Sequence, residues 1–542
     1  MQTGRRLRVG HRSRGPGRVE HRAPTRGRAL TTDAIVIGSG PNGLVAAALL
    51  ARAGWSVTVL ERLDVAGGAV HSAALTEPGY IHDTYSAFYG MLHASPVFAE
   101  LGLDRRVAWA HFDAPVAAAV APGQVAVLHR DRQATADYLT RRQAEDGAGW
   151  LALTDWWGKV GARFFAVMLG PIPSLRPTAA FVAAARSGLF DTARMMVEPM
   201  EALATDRFID PAARALLASG ASHTDVAVDQ PGSVPVALIL AMVAQHQGMP
   251  VPVGGAGKLA SALVDIVTGA GGEVRTGAEV TRVVVERGRA VAVETADGDS
   301  FRAGRAVLAD TGPRALFGAL VGVDALPGRF LAGLKRFRYG TGVFKLDLAL
   351  DGPVPWLDPD LAGCGVVHLT GDLGAMARAG YEARRGIVPT EPMLIVGQQS
   401  VADSSRAPAG GHTLWVETHV PPVPGDGGSW TQDGDRFTEV VLGRLEGFAP
   451  GLGDRIVGRA VRSPVDLERE NPNLVGGDLG AGSSALDQQL VLRPVPGWFR
   501  YATPVKGLYL CSASAHPGGG VHGMVGKNCA RRVLGDARLR RI

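Results

Sequence analysis

Cysteine is scarce in this chain: Cys364, Cys511 and Cys529 are the three among 542 residues. None belongs to a C-x-x-C pair, which argues against a dithiol redox centre and a thiolate metal site, so no metal is expected. So few thiols suit a reducing compartment. The expectation is a cytoplasmic protein, or a mitochondrial one if the source is eukaryotic. No run of 18 apolar residues occurs, so no spanning helix is expected. The longest apolar stretch, Val234–Ala244, reads as a buried helix or a cavity wall. Aromatics make up 6% of the chain, and Lys is nearly missing, at six against 50 Arg. That bias fits GC-rich coding better than a function.

The net charge of +5 belongs to one end of the chain. Residues 1–30 carry nine Arg and a single acid, Glu20, giving +8 and leaving −3 over residues 31–542. The body is nearly neutral, so nucleic acid is not expected as a partner. The tail holds Gly and Pro and has no helical period, and it reads as a disordered extension. Arg5-Arg6 is not followed by an apolar segment, which excludes a twin-arginine signal, and the Pro and Gly argue against an amphipathic transit helix. At roughly 100–200 residues per domain, the length suggests two to four domains or one interleaved pair.

The richest local pattern lies just after the tail. Asp33-Ala-Ile-Val-Ile37 reads as a buried parallel strand. Gly38-Ser39-Gly40-Pro41-Asn42-Gly43 follows directly, then an Ala/Leu-rich helix over Leu44–Ala53 closed by Gly54. Ser56–Leu60 is a second strand, with Glu61 at its end. In this βαβ unit Gly38 permits the tight turn, Gly40 lets backbone approach a pyrophosphate, and Gly43 lets helix and strand pack. The helix N-terminus offers N–H groups and a positive dipole end. Glu61 can accept bonds from both ribose hydroxyls and disfavours a 2′-phosphate. Strand, helix and acid in register make this GxGxxG specific.

Further along, Val253-Gly-Gly-Ala-Gly257 precedes a helix over about Leu259–Ala270, and Gly271-Gly272 leads into Glu273–Val280. A hairpin, Thr281–Glu286 and Ala290–Thr295, and a strand, Phe301–Ala309, return the chain to the first sheet. Near the end, the strand Gly507–Cys511 leads into Ser512–Val521 with three consecutive glycines, then a helix through Asn528 to Leu534. Strand, glycine turn and helix again make an anion site.

These segments resemble the phytoene desaturase-like flavoproteins, within the wider group of amine oxidases, protoporphyrinogen oxidase and Rab GDP-dissociation inhibitors. The likeness is strongest to the branch of the pyridine nucleotide-disulphide oxidoreductase domain proteins, mitochondrial and bacterial. It rests on Val36–Leu44, Ala66-Gly67-Gly68-Ala69, Gly79–Asp83, Gly476-Gly477-Asp478, Arg493-Pro494, Thr503-Pro504 and Tyr509–Gly526, and it covers about 31–535. Carotenoid desaturases and amine oxidases usually carry Arg after the glycine pair. Ala69 stands here, which weakens direct transfer of their chemistry.

The resemblance implies an α/β fold: a discontinuous Rossmann-like FAD-binding domain of the two-dinucleotide-binding-domain type, with an interleaved α+β substrate domain. The expected boundaries are 31–75, 250–320 and 475–535 for the first, and 76–249 with 321–474 for the second. The first substrate piece looks helical, with Ala-rich stretches at 178–186 and 212–219. In the second, Val343–Leu350, Met393–Gln398 and Thr413–Val420 look like strands, and alternation in the last two suits a cavity wall. The implied cofactor is FAD, held by Gly38, Ser39, Gly40, Pro41, Asn42, Gly43, Glu61, Arg62, Gly67, Gly68, Ala69, Val280, Ser514, Gly519, Gly520, Val521 and Gly526. Gly67-Gly68 would close the loop over the pyrophosphate, Val280 would pair its backbone with adenine, and the C-terminal glycines would meet the flavin.

The implied chemistry is hydride transfer from a C–H bond of a lipophilic substrate to flavin N5, which requires no acid–base pair. His516 is the candidate catalytic group near the isoalloxazine, with His82 and His522 as rivals; a structural histidine bonding a backbone carbonyl is the alternative for each. Asp83 would orient His82 or cap a turn. Oxygen, a quinone or NAD remain open as electron acceptor. The family tendency is toward homodimers and peripheral membrane contact. Rival readings are an amine oxidase, with Lys345 the candidate lysine, a flavin-dependent isomerase, and a flavin-free lipid-binding chaperone on the same fold.

Overall fold

The computed structural model describes residues 30–425 and 427–539. The basic tail, read as disordered, lies outside the described residues up to residue 29.

A strand buried on both faces anchors the first sheet: Ala34, Ile35 and Val36 are fully buried. Leu30–Ile37 runs parallel to Val57–Leu60 on one side and to Ser300–Ala309 on the other. Glu273–Arg275 continues beyond Val57–Leu60, and Leu508–Leu510 lies beside the end of Ser300–Ala309, both parallel. The hairpin Val280–Glu286 and Arg289–Thr295 extends that edge antiparallel. Register places Ile37 opposite Leu60 and Ala309, and Ala309 opposite Leu510. Four strands thus end at one level, and the residues that follow them, Gly38, Glu61, Asp310 and Cys511, share one edge. Helix Pro41–Arg52 packs against helices Gly257–Gly269 and Met524–Arg538.

A second, mixed sheet has the order Ile456–Arg462, Gly342–Leu350, His412–Val420, Leu394–Gly397, Cys364–Leu369, Ala114–Ala121, Gln124–Leu128. Two expectations change here. Residues 76–249 are not wholly helical: Ala114–Ala121 and Gln124–Leu128 form a hairpin that joins this sheet. Alanine favours helix intrinsically, but sheet context overrides that preference. The small side chains let helix Pro211–Ala218 pack on the strand, with Ala117, Ala118 and Ala119 fully buried. The alternation read in the other strands marks a cavity face, yet both faces are covered. Phe344 packs on Trp430 and Phe437 of helix Trp430–Glu446 at ring distances of 5.3 and 5.0 Å.

Helix Ser233–Gln247 contains the longest apolar stretch. It buries Val234, Ala237, Leu238 and Met242 in the core and turns Pro235, Val236, Ile239 and Leu240 to a cavity. Among the described residues no helix is long and apolar enough to cross a membrane.

One fully buried arginine pins three separate segments. Arg406 Nη1 donates to Asp83 Oδ2 at 2.7 Å, Nε to Asp403 Oδ2 at 2.7 Å, and Nη2 to the Pro252 carbonyl at 2.8 Å. Asp83 is therefore claimed by Arg406 rather than by His82, which instead meets Thr76 Oγ1 at 2.8 Å. Removing one partner of a buried ion pair leaves the others uncompensated, at about 3–5 kcal/mol. Arg406→Leu should lower unfolding free energy by about that amount in a denaturant titration; an unchanged midpoint would contradict this role.

Candidate functional site

The shared strand edge opens on a cavity of about 1160 Å³, beyond the roughly 300–1,000 Å³ of ordinary ligand pockets. It is bounded at one end by the first sheet's glycine turn and at the other by the second sheet and helix Ser233–Gln247.

Backbone packing explains the glycine turn. A Cβ on Gly40 would lie 2.5 Å from Asp310 Oδ2, and one on Gly43 would lie 2.6 Å from the Gly38 carbonyl oxygen. A Cβ on Gly526 would lie 2.2 Å from the Asn42 carbonyl oxygen. The starts of helices Pro41–Arg52 and Met524–Arg538 therefore converge at the cavity. Their N-cap residues, Gly40 and Gly523, have no side chain to cap with, and one first-turn N–H of each, Gly43 and Met524, is taken by Asp310 and His522. Two positive dipole ends facing one space favour an anion there.

Of the residues singled out in the sequence, Gly38, Ser39, Gly40, Pro41 and Asn42 line the cavity, as do Glu61, Arg62, Gly68, Ala69 and Val280, and Gly519, Gly520 and Val521. Glu61 Oε2 accepts from Ser39 N–H at 2.9 Å and from the Ser39 hydroxyl at 2.7 Å, and Oε1 accepts from Leu63 N–H at 3.0 Å. These bonds fix the carboxylate at the strand end.

Four others support the wall from behind. Gly43 donates to Asp310 Oδ2 at 2.8 Å, Gly67 donates to Ser39 Oγ at 3.1 Å, and Ser514 donates to the Ala481 carbonyl at 2.8 Å, while Gly526 packs on Asn42. His516 does not line the cavity either. Its Nε2 meets the Gly170 carbonyl oxygen at 2.9 Å, and burial pushes its ring down to about 4, so it is a neutral packing histidine. His82 is likewise turned away from the cavity. His522 does reach it, with its Nδ1 accepting the Met524 N–H at 3.0 Å. Lys345 is also absent from the cavity wall: its Nζ is buried against Asp347 Oδ1.

Several residues of the site were assigned no role by the sequence reading, Arg493 among them although Arg493-Pro494 helped carry the resemblance. Arg493, fully buried, donates to the carbonyls of Ser483 at 2.9 Å and Ala513 at 2.8 Å, clasping the 480–483 loop to the C-terminal glycine turn. Burial pushes it down to about 10, with Asp478 opposing. At the far end the wall is apolar, including Phe164, Phe181, Ile239, Leu240, Val366 and Trp415, with Glu417 and His419 set among them. Asp310 had a usable signal, since it directly follows a predicted strand returning to the first sheet, where ligands gather at carboxyl ends. Glu417 had one indirect signal, the alternation that marked Thr413–Val420 as a cavity wall.

Burial pushes the Asp310 carboxyl up to about 7; the Gly43 N–H opposes the rise and the Glu61 charge reinforces it. The unfolded chain ionises this group from its ordinary 3.8 upward, while the folded chain keeps the proton to about 7. Stability from this group is therefore full at low pH and falls as pH rises through that window. Measured without added cofactor, Asp310→Asn should show a melting temperature that falls less between about pH 4 and 7 than the wild type's; parallel profiles would contradict it.

Comparison with known proteins agrees with this geometry. The mouse pyridine nucleotide-disulfide oxidoreductase domain-containing protein 2 is 28% identical, covering 93% of this chain and 94% of its own. Phytoene desaturase (neurosporene-forming) of Cereibacter sphaeroides is 26% identical over 91% of this chain and 92% of its own. The crystal structure of an oxidoreductase from Methanosarcina mazei matches the fold with a TM-score of 0.62 at 18% identity, covering 93% of this chain and 100% of that one. Residues 42–404 match the family described as flavin containing amine oxidoreductase. The chain belongs to that family and is an FAD-dependent oxidoreductase.

Proposed function

We propose that this enzyme removes a hydride from a lipophilic substrate held at the apolar end of the cavity. The observation that carries the reading is the cavity itself, one space reaching from two converging helix starts to an apolar wall. FAD bound at the glycine end supplies the two-electron acceptor.

The residues suit each part of that cofactor. The backbone of Gly38–Asn42, at the start of helix Pro41–Arg52, would hold the pyrophosphate, with Gly43 and Gly526 keeping both helix starts close. Glu61, already fixed by Ser39, has lone pairs for ribose hydroxyls. Val280 stands at the cavity edge for adenine, and Gly519–Val521 for the flavin. Asp310 keeps its proton to about 7, which spares the pyrophosphate a second negative neighbour.

At the other end, Phe164, Phe181, Ile239 and Leu240 bind by burial of apolar surface and exclude water. Histidines near the substrate stay neutral, because burial pushes His419 and His522 down to about 4. The likeness to a phytoene desaturase supports a lipophilic carbon substrate.

Anaerobic reduction of the bound flavin, followed by loss of its visible absorption, tests the reading. Apolar donors should bleach it, and small charged donors should not. Ile239→Arg should keep the FAD content and slow bleaching by apolar donors about tenfold or more, a barrier change of about 1.4 kcal/mol. Equal bleaching by small charged donors, or an unaffected Ile239→Arg variant, would contradict it.

A further inference from the structure

The apolar wall contains a buried acid, Glu417, that the hydride reaction does not use. Strand His412–Val420 presents Trp415, Glu417 and His419 at alternate positions, and all three line the cavity. Their cavity-lining neighbours on the adjoining strands, Val343 and Ile395, are aliphatic. Glu417 is 6% exposed, and its Oε1 has no hydrogen-bond partner among the described residues.

The cation that register places opposite it is already engaged. Lys345 faces Glu417 across the ladder, but its Nζ meets Asp347 Oδ1 at 2.5 Å and lies 5.4 Å from the Trp415 ring centre. Asp347 Oδ2 takes Arg462 Nη2 at 2.5 Å, and Arg462 Nη1 lies 3.5 Å from Glu470. Two cations and two carboxylates thus balance without Glu417. An additional buried anion would be uncompensated, and such groups neutralise instead. Burial pushes the Glu417 carboxyl up to about 8, against the pull of Lys345 and Arg462 and with Asp347 adding to the rise.

Of the other polar groups on this side, Asp225 accepts from the Ser484 N–H at 2.7 Å and the Ser483 hydroxyl at 2.5 Å, and His368 Nδ1 has no partner among the described residues. His419 Nδ1 meets Thr341 Oγ1 at 2.7 Å, and His223 Nε2 meets His368 Nε2 at 2.9 Å. Burial holds all three histidines below their ordinary value. An uncharged carboxyl with an open valence in an apolar wall is a hydrogen-bond donor without an acceptor, a cost that a ligand oxygen removes.

We infer that Glu417 anchors a carbonyl oxygen of the substrate, so that this end of the cavity takes a lipophilic ketone, aldehyde or enone rather than a pure hydrocarbon. The inference rests on the lipophilic-cavity reading and specifies its substrate class. A bound carbonyl would accept the Glu417 O–H while its carbon chain lies against Trp415 and Ile395. Above about pH 8 the carboxyl ionises and ceases to donate. The preference for a carbonyl should therefore hold at neutral pH and be lost as pH rises.

Headspace partitioning over the FAD-loaded protein tests this with two probes of equal chain length, 2-octanone and octane. At about pH 7 the wild type should bind the ketone about tenfold more tightly, in keeping with one buried hydrogen bond. The preference should vanish by about pH 9.5. Glu417→Leu should abolish it at every pH. Glu417→Gln, which keeps an N–H donor but cannot ionise, should retain it and make it independent of pH. Unchanged flavin absorption and circular dichroism would show that both variants fold. Equal binding of the two probes to the wild type, or a preference that survives Glu417→Leu, would overturn the inference. So would an alkaline loss that persists in Glu417→Gln, since that would assign the titration to Lys345, which burial pushes down to about 8. Binding of neither probe would overturn the lipophilic-cavity reading and this inference with it.

Discussion

The contact between the starts of two helices governs this structure. The Asn42 carbonyl of helix Pro41–Arg52 sits where a Cβ of residue 526 would be, so glycine is required there in helix Met524–Arg538. That approach joins segments 484 residues apart in sequence, with the Gly526 N–H pointing to Asn42 Oδ1 at 3.4 Å. Because the strands before these helices end at one level, the contact also sets where the two glycine turns face each other. The FAD end of the cavity follows from this: it consists largely of backbone and helix ends, with Glu61, Glu279, Asp310 and Asp478 among its acids.

The opposite end follows a different logic. The second sheet holds a dense cluster of charge, Lys345, Asp347 and Arg462, yet this cluster is spent internally, as ion pairs and as the contact of Lys345 with Trp415. The segment through Tyr85 and Phe88 covers it, with Trp415 Nε1 donating to the Tyr85 carbonyl at 3.2 Å and its ring against Phe88. The cavity thereby stays apolar beside a charged layer, and Glu417 stands at the border. A dry site strengthens whatever polar contact it does make, so a single carboxyl there outweighs several on a wet surface.

The FAD end was largely legible in the sequence because its demands are local. A strand, a glycine turn and a helix start within a dozen residues, with an acid closing the next strand, leave few structural options. Gly67, Ser514 and Gly526 were read as cofactor contacts but act one layer back, because spacing marks a loop without telling which side of it faces the cavity. The apolar end was legible only in part: Val234–Ala244 and the alternation in Met393–Gln398 and Thr413–Val420 pointed to a cavity wall, and residues of all three line it, but nothing in the sequence linked them to one another or to residues 164–196 and 366. The strand Ala114–Ala121 was hidden by alanine's helix preference, and His516 looked catalytic by position until its ring proved to be bonded to Gly170.

The central claim, that two abutting helix starts create the cofactor end, is tested most directly by titrating FAD into flavin-free protein and recording absorption from about 300 to 550 nm. The account predicts one FAD per chain with the paired bands of a bound flavin for the wild type. It predicts at least about tenfold weaker uptake, about 1.4 kcal/mol, for Gly526→Ala, whose added carbon would fall 2.2 Å from the Asn42 carbonyl oxygen. A wild-type protein that takes up no FAD, or a Gly526→Ala variant that binds it equally well, would contradict the account.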